Sequence, residues 1–198
     1  MMYWNQEPLE DIESQLEAGF RIYDALYFER GYCREVELLL ERLVALTDEA
    51  MEKKGSNQSL LNQGAWFRAL LRKDLDMALV FAREALALDP RNRAVMNTLG
   101  WVHFRRDEVE QARKYLVAAV DLGDDSEGFD LVGVLGLRRP VSNGSNLLYL
   151  ALAYCEWHQL DDARKIIALL GRNDYADRML MRHEARLYTE LRETLDSQ

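Results

Sequence analysis

An all-α fold is predicted by three features of the sequence. Leucine and alanine supply 53 of the 198 residues, whereas Val, Ile and Thr together supply 19. Side chains unbranched at Cβ keep their rotamers in a helix and β-branched ones lose them, so strands should be scarce. Proline occurs only at Pro8, Pro90 and Pro140, which leaves room for long uninterrupted helices. The third feature is a repeat with a period of 34 residues: Ala78 falls on Ala112, Ala85 on Ala119, Ala65 on Leu99 and Pro90 on Asp124.

Composition narrows the function classes. With 48% hydrophobic and 30% charged residues, the chain can build a core and is no disordered tail. The net charge of -9 is uneven, since residues 1–58 hold 13 acidic and 6 basic residues. Arg138 and Arg139 form an isolated basic pair, so neither nucleic acid nor an anionic membrane surface is an expected partner. The start, MMYWNQEPLEDIESQ, has no basic and apolar leader, and no stretch reaches the length of a membrane span. Cys33 and Cys155 are too few and too far apart for a disulfide framework, so a reducing cytoplasm is the expected location.

Taken in order, residues 1–58 form an acidic N-terminal helical region. Within it, residues 17–50 read as a divergent helix pair with Phe20, Tyr23, Tyr27, Gly31, Leu40 and Leu43 at helix-pair spacing. Asp24 stands where a small residue is expected, and Val36 where Ala is expected. EKKGSNQS, residues 52–59, reads as a turn. Residues 59–125 hold two well-formed units in strict phase. Small residues recur there because two antiparallel helices approach closely only where no bulky side chain intervenes. Residues 126–143, SEGFDLVGVLGLRRPVSN, form an apolar insert in which Gly133, Gly136 and Pro140 oppose a helix. It is expected to pack as a spacer, with occupation of a groove or a role as the partner-facing element as the alternatives. Residues 144–177 form a third unit, with Ala163 placed 51 residues after Ala112. Residues 178–198 carry the stripe Leu180, Leu187, Leu191 and Leu195, expected to cap the array.

Leu99-Gly100, Ala112 and Ala119, preceded by Ala78, Ala85 and Pro90 and followed by Leu150-Ala151, Tyr154 and Ala163, resemble the tetratricopeptide repeat. The resemblance implies a right-handed α-solenoid of three to four helix pairs with a C-terminal capping helix. It further implies a ligand on the concave face, at fixed places along the first helix of each pair. Those places fall on Leu60, Gln63, Ala94, Ser145 and Cys155, and put Phe67, Leu70, Leu71, Asn97, Trp101, Phe104, Arg105, Leu148, Leu152 and Glu156 in the groove, and in the first pair Arg21, Ala25, Phe28 and Glu29. The Lys and Asn places with which members grip a C-terminal carboxylate hold Gln63 and Phe67, so that clamp is not expected.

An apolar groove needs an apolar occupant: each large side chain left in water forfeits roughly 1.5–3 kcal/mol. By size, charge and repeat number the chain is also similar to the small chaperones of bacterial type III secretion systems, in which an extended client segment lies in the groove. The expected function is therefore a non-catalytic chaperone or adaptor holding an apolar segment of a protein partner. The alternatives are a scaffold that binds a folded partner through the acidic N-terminal region, and coverage of the groove by the insert, the C-terminal helix or a homodimer.

Catalytic and cofactor chemistry find no support. His103, His158 and His183 accompany no nucleophile in a recognisable order, and no glycine-rich phosphate loop occurs. Cys155 and His158 share a helical face without the second pair that a closed zinc site needs. No cofactor or metal is expected.

Overall fold

The computed structural model describes residues 11–121, 144–171 and 180–197. Among the described residues there are nine α-helices and no strand. They are α1 (Ile12–Arg30), α2 (Arg34–Lys54), α3 (Gln58–Leu71), α4 (Leu75–Leu88), α5 (Arg93–Arg105), α6 (Val109–Asp121), α7 (Gly144–Glu156), α8 (Leu160–Leu170) and α9 (Arg182–Asp196). The expected insert, and with it Arg138, Arg139 and Pro140, lies outside the described residues.

Local chemistry sets the helix starts. Asp11, Asn57 and Asn92 each accept a hydrogen bond from a backbone N–H of the first turn, at Ser14, Leu60 and Val95 respectively. Such caps satisfy donors that a helix leaves orphaned, at about 1 kcal/mol each. The turn between α2 and α3 is tighter than residues 52–59: α2 runs to Lys54, and Gly55 closes it at φ 82°, a conformation that favours glycine.

Each helix packs on the next, so α1–α2, α3–α4, α5–α6 and α7–α8 are successive pairs. The small residues sit where these pairs cross. Ala78, Ala85, Ala112, Ala119 and Ala163 are buried, as are Ala65 and Ala69. Gly100 marks a crossing closed by backbone: a Cβ there would lie 2.8 Å from Leu116 Cγ and 2.9 Å from its backbone nitrogen.

The first helices of the pairs form an inner layer in which α3 packs on α5 and α5 on α7. Phe20 of α1 meets Phe67 of α3 at 6.3 Å between ring centroids. The last helix, α9, packs on α7 and α8, and also on α1. The inner layer is therefore closed on itself through an α9–α1 contact.

Asp24 explains both that closure and the break in the repeat pattern. Its carboxylate accepts the backbone N–H of His183 at 2.9 Å and the ring Nδ1–H at 2.7 Å. His183 is fully buried, with Phe20, Tyr23 and Tyr27 around its ring at 5.1–6.3 Å. Beside it, Arg186 donates to the Phe28 carbonyl at 3.0 Å. A small residue at position 24 would suit an open array; the acid is needed because a second helix end lands there. Val36, the other departure, is simply buried.

Candidate functional site

The amino-terminal turns of the five inner helices converge on a cavity of about 630 Å³. Glu13, Leu16, Glu17 and Phe20 come from α1, Leu60, Asn62, Gln63, Trp66 and Phe67 from α3, and Ala94, Asn97 and Thr98 from α5. Ser145, Asn146 and Tyr149 of α7 and Glu184 of α9 complete it, with Met181 at the mouth. Neighbouring turns on successive helices place these side chains together because the packing repeats the same crossing. The walls are mixed, with aromatic faces on α1, α3 and α7 and amides on α3 and α5.

A second cavity, of about 260 Å³, lies at the carboxyl ends of α3, α5 and α7, between Arg72, Phe104, Arg105, Asp107, Val109, Glu156 and Trp157. An aromatic row joins the two. Trp66 meets Tyr149 and Tyr149 meets Trp101, both at 4.9 Å; Trp101 stacks on Phe104 at 4.7 Å, and Phe104 meets Trp157 at 6.1 Å. Aromatic contacts of this kind rigidify the wall beyond the area they bury.

The expected groove residues divide among these places. Phe67 and Asn97 line the first cavity; Phe104, Arg105 and Glu156 line the second. Leu71, Trp101 and Leu148 are core residues, with Trp101 only 4% exposed, and Leu70 and Leu152 are half-buried. Leu60, Gln63, Ala94 and Ser145, which hold the earlier of the family's ligand places, do line the first cavity. On α1 the lining residues are Glu13, Leu16, Glu17 and Phe20, nearer the helix start than Arg21, Ala25, Phe28 and Glu29. The reason is length: α1 has 19 residues and α2 has 21, against 14 in each of α3 and α4, so a 34-residue frame misplaces the first pair.

Sequence reasoning also missed Trp66, Tyr149 and Glu184. Trp66 and Tyr149 are each one residue from an expected position, Phe67 and Leu148. Glu184 carried no capping-box signal, since Met181 holds the N-cap place, yet its carboxylate accepts the Met181 N–H at 2.9 Å and the Ser145 hydroxyl at 2.8 Å.

Electrostatics distinguish the two cavities. Burial raises the Glu184 carboxyl above its ordinary value of 4.5, although the Met181 N–H opposes the shift. Burial, and then the like charge of Arg72, pull Arg105 down to about 10. Its guanidinium lies 4.4 Å over the Trp101 ring, a contact that offsets part of the desolvation. Burial also raises the phenols of Tyr23 and Tyr149 well above 10.

Among the described residues the three histidines lie apart from one another and outside the first cavity. His103, at the repeat's usual Tyr place, is buried, stacks on Tyr115 at 5.5 Å and bonds Glu108 at 2.5 Å. His158 terminates α7 at φ 57°. Among the described residues there is no group of three or more His, Cys, Asp or Glu placed to hold a metal ion, and no helix long and apolar enough to cross a membrane.

No curated protein matches the chain. A family model described as Tetratricopeptide repeat matches residues 69–135. That span runs from the end of α3 through α4, α5 and α6, the part where the 34-residue phase is strict. With small residues at the crossings of its helix pairs, the chain is similar over residues 69–135 to the tetratricopeptide repeat.

Proposed function

We propose that the protein is a non-catalytic chaperone or adaptor that holds an apolar segment of a protein partner against its inner face, as type III secretion chaperones do, in the cytoplasm. The repeat is a protein-binding module, and the observation that carries the finer reading is the first cavity. It is bounded by all five inner helices and walled by Phe20, Trp66, Phe67 and Tyr149. An apolar side chain entering it gains burial without opening the core.

The second cavity supplies a rim at the opposite end, where Arg105 and Glu156 orient the segment by charge. Trp101 and Leu148 act from beneath, as packing that fixes the aromatic wall.

Filling the cavity tests the reading. Gln63→Trp combined with Ala94→Trp occupies the space from α3 and α5 without touching the packed crossings. Helicity is expected to be retained and capture of the partner from the native host to be lost. Undiminished capture by the folded variant would overturn the reading. Loss of capture on reversing the exposed acidic residues Glu35 and Glu52 instead would favour the scaffold that docks through its N-terminal region.

A further inference from the structure

The polar inventory of the first cavity is one-sided. Its lining includes three carboxylates, Glu13, Glu17 and Glu184, and no Lys, Arg or His. Glu13 and Glu17 are exposed and pair with Lys54 and Arg21, which lie outside the lining. Glu184 is different: it is 1% exposed and forms no ion pair among the described residues. A carboxylate out of water without a cation is costly, and its two hydrogen bonds offset only part of that cost.

Independent of charge, polar atoms in the same wall lack partners. Asn97 is 7% exposed, and its Oδ1 is buried without a hydrogen bond. Asn62 Oδ1 and the Tyr149 hydroxyl oxygen, in the same lining, are likewise unpartnered. Buried acceptors are normally satisfied, so these atoms are open to a donor on a group that enters the cavity. At α1, α3, α5 and α9 the helix starts around the cavity do not demand an anion in compensation. The caps on α1, α3 and α5 are made by Asp11, Asn57 and Asn92, and the N-cap N–H of α9 is taken by Glu184.

Aromatic faces complete the pattern. Trp66 and Tyr149 meet edge to face at an interplanar angle of 87°, so the two rings offer differently directed faces to one space. An acidic, acceptor-rich, aromatic-walled pocket matches a cation on an apolar stem.

We propose that the first cavity takes a basic side chain, Arg or Lys, carried on the apolar segment of the protein partner. The charged head is held by Glu184 with Asn62 and Asn97, and the stem lies along Trp66 and Phe20. This rests on the proposed function and specifies the chemistry of its occupant: apolar residues around one cation, rather than apolar residues alone. A raised Glu184 carboxyl is the state expected of the empty pocket, and the incoming cation would lower it.

The test uses the full chain and three blocked pentapeptides: Leu-Leu-Arg-Leu-Leu, and the same peptide with norleucine or Glu at the centre. Binding is followed through the Trp66 indole N–H and the Asn97 side-chain amide by NMR. The Arg peptide should bind at least about tenfold more tightly than the norleucine peptide at low salt. Glu184→Gln keeps a side-chain oxygen for the Met181 N–H but removes the charge, and it should bring that ratio close to one with helicity unchanged. Asn97→Leu should weaken the Arg peptide more than the norleucine peptide.

Equal binding of the Arg and norleucine peptides would overturn the cation site while leaving the apolar reading standing. Tighter binding of the Glu peptide would overturn it in favour of an anion at the helix ends. If none of the three shifts these signals up to millimolar concentration, both readings fall.

Discussion

Asp24→Ala separates a ring closed by α9 from a stack with a helix resting on its end. Asp24 accepts two hydrogen bonds from His183, at 2.9 and 2.7 Å, across a sequence separation of 159 residues. His183 is fully buried, so both donors would be stranded away from water. A buried donor left unsatisfied costs about 1–3 kcal/mol. Two of them, with some relief because Asp24 is itself partly exposed, give an expected loss of about 2–4 kcal/mol. Both hydrogen bonds go to Oδ1, so Asp24→Asn, whose amide oxygen can stand in that place, should lose much less.

Urea unfolding reads the stability, and amide exchange along α9 reads the locus. The variant should lower the transition midpoint, and protection should fall in α9 and α1 before it falls in α4 or α6. A change below about 0.5 kcal/mol, or unaltered protection of α9, would refute the reasoning and make the contact between the two ends incidental.

Three further perturbations probe other parts of the account. At Gly100 an added Cβ would meet the backbone of Leu116 at 2.9 Å, which cannot turn aside; Gly100→Ala should cost about 1–3 kcal/mol in thermal or urea melts. Asp48 takes two hydrogen bonds from Arg68, at 2.7 and 2.8 Å, and the Arg68 side chain is only 6% exposed. Asp48→Ala therefore leaves a buried charge unpaired and should cost about 3 kcal/mol, more than Arg68→Met, which removes the charge as well. Glu184 has a folded carboxyl value raised by burial, so the unfolded chain gives up this proton first, and its contribution to stability falls as pH rises from 4.5. Glu184→Gln removes that slope: the variant should gain on the native protein with rising pH, as followed by urea midpoints across the acid range.

Much of the fold was legible because a repeat states the same packing problem more than once. Ala78 and Ala112, and Ala85 and Ala119, lie at equivalent crossings, and the Leu99-Gly100 step marks one where backbone meets backbone. The first pair was harder to read. Its helices are longer than the repeat unit, and its two departures, Asp24 and Val36, carry no local explanation. Asp24 is intelligible only once His183 stands beside it, and no periodicity links residues so far apart.

The site was legible in part for the same reason. Places counted along the inner helices led to Gln63, Phe67, Ala94, Asn97 and Ser145, which do share one cavity. They also led to Leu71, Trp101 and Leu148, which closure of the ring turns into core. Trp66 and Tyr149 lie one position away, on the flank that α9 brings into the cavity wall. An open curve would have exposed the counted face; a closed one narrows the accessible part to the helix starts.

The central claim is that a partner's segment enters the cavity at those helix starts, and site-specific photocrosslinking in the native host measures it directly. A photoreactive phenylalanine derivative at position 63, inside the cavity, should crosslink to the partner, while the same group at position 83, an exposed site on α4, should not. Crosslinks from position 83 with none from position 63 would place the partner on the outer layer and contradict the account.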